Sequence, residues 1–153
     1  MANRTVKVEG LQELEAALAD LPKATGKAVL RRVARQALVP FDAAWRRNAN
    51  AHRLTGSLEE SGGIGTKLTK RQARLNKKRE GKASIEMHAG PNDPAAIPSE
   101  YGTVDQPARA FGRPAWATTQ DEVLDIVKAE LGQAIAAAAS RIARKNAKLP
   151  AKG

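Results

Sequence analysis

Aromatic side chains are scarce in this chain, and three of the five, Tyr101, Phe111 and Trp116, fall within residues 99–116, SEYGTVDQPARAFGRPAW. Gln106 and Arg113 each precede a proline, which pushes them toward extended backbone. Gly102 and Gly112 permit conformations that other residues disfavour. The stretch therefore predicts a structured crossover between more regular elements, with its aromatics plugging the core. The other elements must be arranged around it.

Length and charge bound the rest. The 153 residues read as one domain over residues 1–146 and a flexible basic tail over 147–153, and a chain of this size buries about 70% of its unfolded surface. No cysteine is present, which excludes a disulfide framework and thiol chemistry. The first ten residues, MANRTVKVEG, lack the apolar run of a secretory signal. The most apolar later window, residues 123–139, is interrupted by Asp125, Lys128, Glu130 and Gln133, so no membrane span is expected. Lys and Arg number 26 against 16 Asp and Glu, a formal net charge of +10. That balance points to a polyanionic partner, nucleic acid first.

Residues 5–9 (TVKVE) alternate as a short strand ended by Gly10. Leu11, Leu14, Leu18 and Leu21 recur at helical spacing up to Pro22. A second helix is expected over residues 25–50, with Leu30, Val33, Ala37, Phe41 and Ala44 on one face and Leu38 and Trp45 beside them. Pro40 lacks an N–H and crowds the preceding turn, so a kink or two tandem helices should result. Arg31, Arg32, Arg35, Arg46 and Arg47 lie mostly off the apolar face. They form either a solvated surface or a phosphate-binding one.

Residues 58–70 are compatible with a strand, and residues 82–89 alternate more clearly, with Ala83, Ile85, Met87 and Ala89 on one face. Between them Lys70, Arg71, Arg74, Lys77, Lys78, Arg79 and Lys82 are opposed only by Glu80. Such a run predicts a basic hairpin loop, disordered in the free subunit, that seeks DNA phosphates or an acidic protein patch. Residues 90–98 read as a turn-rich linker. The last and longest helix should begin between Pro114 and Thr119, either with Pro114 at its first helical position or with Thr119 and Glu122 as a capping box. Its stripe is Val123 or Leu124, Val127, Leu131, Ile135, Ala138 and Ile142. Asp121, Glu122 and Asp125 near its start, and Arg141, Arg144 and Lys145 near its end, would complement the helix dipole.

Strands clustered between helices, rather than alternating with them, predict an α+β fold: a small, mostly antiparallel sheet against two or three helices, with a long C-terminal helix. No catalytic pattern emerges. Phosphate-cradling, HExxH and nucleophile-elbow motifs are absent from the sequence. His52 and His88 have no ligand partners at metal spacing. Glu100 is the best candidate for a catalytic acid and stands alone. Neither an enzyme nor a cofactor is expected.

Two blocks carry a resemblance. Thr55, Gly56, Leu58 and Ser61 form Thr-Gly-x-Leu-x-x-Ser; Glu100, Tyr101, Gly102 and Thr103 are followed by Arg109, Phe111, Arg113 and Pro114. In this order they resemble the signature of the tail-completion, or head–tail joining, proteins of long-tailed phages, with Ala110 where that family usually has proline. The resemblance implies a structural virion protein of the neck, assembled in the host cytoplasm. It implies a homo-oligomeric ring, six-fold in the family, at the end of the tail. Its partners would be the head-side connector or head-completion protein, the tail-terminator or tail-tube protein, and the genomic DNA in the lumen. A free-standing architectural nucleic-acid-binding protein is the alternative.

Overall fold

A computed structural model of the chain describes residues 11–51, 56–68, 70 and 85–147. The expected strand over residues 5–9, most of the basic loop, Thr55 and the C-terminal tail lie outside these residues. In chain order the elements are α1 (Leu11–Ala19), α2 (Lys23–Ala37), α3 (Val39–Ala51), α4 (Ser57–Glu60), β1 (Gly63–Gly65), β2 (His88–Gly90), α5 (Ala96–Tyr101) and α6 (Gly112–Ala147). The fold is α+β, dominated by helix. The sheet is small and antiparallel as expected: among the described residues β1 and β2 pair in the register Gly63↔Gly90, Ile64↔Ala89 and Gly65↔His88. Residues 58–60, read above as the start of a strand, are helical, and residues 85–87 are not in the ladder.

Helix α6 is the spine. Its 36 residues extend about 54 Å at 1.5 Å per residue. The tandem pair α2–α3 packs along it, α2 against its later half and α3 against its start. The expected interruption is therefore a break into two helices at Leu38, with Pro40 in the first turn of α3, where its missing N–H leaves no helical bond unmade.

That break divides the core. One cluster joins Leu18 and Leu21 to Val29 and Val33 of α2 and to Leu131, Ala134, Ile135 and Ala138 of α6. The other joins Ala44, Trp45 and Ala49 of α3 to Phe111 and Ala115, with Phe41, Leu58 and Ala96 packed on it. No residue belongs to both. The first is wholly aliphatic; the second is built on aromatic rings. Trp45 is completely buried, its ring centroid 6.0 Å from that of Phe111, and its indole N–H donates to Asp42 at 3.0 Å. Gly62 explains how the hairpin reaches it. A Cβ there would lie 2.6 Å from both the Trp45 ring and the Gly90 carbonyl oxygen, so only glycine lets the strand lie this close.

Helix α6 starts earlier than its sequence suggests. It begins at Gly112, which places Arg113 in helix despite the following proline and Pro114 in the first turn, where the four leading amides have no helical partner. Thr119 is therefore interior, and its hydroxyl donates to the Ala115 carbonyl at 2.8 Å instead of capping. Asp121, Glu122 and Asp125 fall in the third and fourth turns, too far along to act on the helix start. Arg144 and Lys145 do lie in the last turn.

Candidate functional site

The missing partner for the start of α6 comes from α5. Glu100, 8% exposed, accepts from the backbone N–H of Phe111 and Gly112 at 2.8 Å through Oε2. Through Oε1 it accepts from the N–H of Arg113 at 2.9 Å and from the Arg113 Nε at 3.0 Å. Three orphan amides and the positive end of a long helix thus converge on one carboxylate. Burial alone would raise the carboxyl. The amides of Gly112, Arg113 and Phe111, with the Arg113 side chain, outweigh it and hold the pKa below the usual carboxylate value. The candidate catalytic acid is a helix cap supplied from another helix, with both oxygens occupied.

The neighbouring motif residues extend this clasp. Arg113 returns a hydrogen bond from Nη2 to the Glu100 carbonyl at 2.8 Å, and its guanidinium lies 4.9 Å from the centre of the Tyr101 ring. Gly102 ends α5 at φ 79°, and a Cβ there would approach the Ala108 amide to 2.8 Å. The tight turn that follows is closed by Thr103 N–H on the Gln106 carbonyl and by Arg109 N–H on the Ser99 carbonyl, each at 2.8 Å. Phe111 is 5% exposed, as a core plug should be. Trp116 is not: it is 45% exposed, its ring in a T-shaped contact with Phe41 with centroids 5.6 Å apart. Tyr101 is also exposed. The expectation that all three aromatics fill the core holds for Phe111 alone.

The first block is tied to the turn before α5. Gly56, at φ 81°, opens α4. Ser61 Oγ donates to the Leu58 carbonyl at 2.9 Å and accepts from the backbone N–H of Asn92 and Asp93 at 3.2 and 3.1 Å. The Ser57 hydroxyl donates to Asp93 at 3.0 Å. Leu58 packs on the aromatic cluster.

Helix α3 joins the two blocks. Arg46 donates to the carbonyls of Glu59 and Gly62 and pairs with Asp42 at 2.8 Å, while Asn48 donates to the Phe111 carbonyl at 3.0 Å. Arg46 is thus a half-buried strut with its guanidinium engaged, whereas Arg31, Arg32, Arg35 and Arg47 are exposed. Asn48 escaped the sequence reading, and Arg46 was read there only as part of a basic face, because a single polar residue on a helix carries no mark of the carbonyl it will meet.

Around the clasp several apolar side chains reach the surface. Ile97, Tyr101, Val104 and Trp116 are exposed, Val104 completely. An open cavity of about 1030 Å³ lies between the hairpin and α5, lined by Phe41, Ile64, Leu68, Ile97 and Tyr101 among others. Lys70 and Arg109 are exposed. The remaining residues of the expected contact loop, Arg71, Arg74, Lys77, Lys78, Arg79 and Lys82, lie outside the described ones. Among the described residues no group of three or more potential ligands could hold a metal ion, and no helix is long and apolar enough to cross a membrane. Comparison with protein-family models, with curated proteins and with solved structures returns no match for this chain.

Proposed function

We propose that the chain is a structural subunit of the head–tail junction of a long-tailed phage, assembling as a ring around the DNA path. One observation carries the reading. The described residues of the two motif blocks are wired to one another through α3, and they hold Tyr101, Val104 and Arg109 outward on a clasped turn. Residues spent on fixing an exposed apolar and basic surface suit protein docking. The acid that might have done chemistry is fully engaged.

Charge argues for the same use. A collar about 40 Å tall surrounds roughly 24 phosphates of duplex at one charge per ~1.7 Å, whereas six copies at +10 each carry about +60. Most of that charge must face protein neighbours or water, and a conduit that gripped DNA with all of it would hinder passage. The reading of a free-standing nucleic-acid-binding protein rests on the overall charge, on the basic run from Lys70 to Lys82 and on the basic C-terminal tail.

An in vitro head–tail joining assay tests the proposal, with electron microscopy of the particles. Arg109→Glu and Val104→Glu should leave the circular dichroism spectrum unchanged and abolish joining. Normal joining by both would overturn the assignment of this surface. Tight, salt-sensitive duplex binding by a chain that forms no rings would establish the alternative.

A further inference from the structure

A second surface lies far from the clasp, where α2 and the end of α6 run side by side. They leave a groove of about 350 Å³. Its floor is apolar and mostly small: Ala28, Val29, Ala134, Ala137, Ala138 and Ile142. Its charged lining residues are Arg32, Arg141 and Lys145, with no acid among them. All three are exposed, and no hydrogen bond or ion pair engages them among the described residues.

The opposite flank of α2 shows what this helix pair accepts. Helix α1, LQELEAALA, is amphipathic and carries Glu13 and Glu15, and Leu18 at its end packs into the cluster shared by α2 and α6. Its contact runs past Gly26, whose Cβ position lies 3.6 Å from the Leu18 carbonyl oxygen. At 3.6 residues per turn, Thr25, Ala28 and Arg32 point away from that side.

From this we infer that the α2–α6 groove docks an acidic amphipathic helix of a partner protein. Its apolar row would lie over the alanine floor, and its carboxylates would meet Arg32, Arg141 and Lys145. Alanines allow close approach of a second backbone, and guanidinium groups pair carboxylates through two parallel hydrogen bonds. A nucleic acid backbone would use the cations and leave the apolar floor unfilled, which makes a protein helix the better match. The inference does not depend on the neck reading, since it concerns a different surface.

The probes are a synthetic helical peptide with leucines on one face and glutamates on its flanks, a scrambled peptide of the same composition, and a short DNA duplex. Fluorescence anisotropy with the full chain should show the amphipathic peptide bound more tightly than either. The double variant Arg32→Glu with Arg141→Glu should weaken it roughly tenfold, as loss of two exposed charge contacts predicts. Ala137→Trp or Ala28→Trp, each at an exposed position, should fill the groove and weaken it comparably with an unchanged circular dichroism spectrum. Equal binding of the scrambled peptide, or indifference to both tryptophans, would reduce the groove to nonspecific attraction and overturn the inference. Tighter binding of the duplex, lost with the same arginines, would make it a phosphate site and overturn it equally. Loss of peptide binding with head–tail joining intact would leave the neck proposal standing.

Discussion

Glu100 concentrates more of the fold's logic than any other residue. It caps the spine helix and anchors Arg113 from a single buried position. Glu100→Ala should cost about 2–4 kcal/mol in urea melts, since buried amides lose a charged acceptor. Arg113→Ala should cost no more than ~1 kcal/mol, because its side chain is 57% exposed. The folded pKa of Glu100 lies below its unfolded value, so its contribution is full above the ordinary carboxylate range and is lost as pH falls through the folded value. Melts repeated on acidification should therefore show a steeper loss for wild type than for Glu100→Gln. Parallel slopes would mean that the carboxylate is not the acid-sensitive group. The cap was illegible in sequence for a definite reason. Recognisable capping residues act on amides two or three positions ahead, whereas Glu100 reaches amides 11 to 13 positions away. A glutamate that caps across a turn looks like any other glutamate.

Elements were legible where their signals are local. The leucine spacing of α1, the break near Pro40 and the apolar stripe of α6 all follow from side-chain periodicity and proline chemistry, and each is present. The start of α6 was misplaced because Pro114 weighs against helix at Arg113, a bias that the first turn tolerates once its amides have a partner. One close approach near the sheet requires glycine: Gly62, just before β1, touches Trp45 where a side chain would intervene. Gly62→Ala should thus destabilise by about 1–3 kcal/mol through overpacking. The aromatics separate in the same way. Phe111→Ala should cost ~3–5 kcal/mol, and Trp116→Ala about 1 kcal/mol given its exposure. Chemical denaturation of the two variants gives the comparison, and equal losses would place Trp116 in the core after all.

At the scale of the whole molecule, the divided core has a dynamic consequence. Two clusters that share no residue are linked through the backbones of α6 and of the α2–α3 pair, so opening one need not open the other. The aromatic cluster is fastened by the clasp and by Arg46, whereas the aliphatic one is built from packed Leu, Val, Ile and Ala side chains. Native-state hydrogen exchange should find the amides of α2 and the end of α6 exchanging through a lower-energy opening than those of α3 and the start of α6. A single rate-limiting opening for all of them would show one cooperative unit. With two, the molecule behaves as a rigid grip carrying a compliant arm: the clasped end keeps its shape when it meets a neighbour, while the far end yields to strain without releasing it.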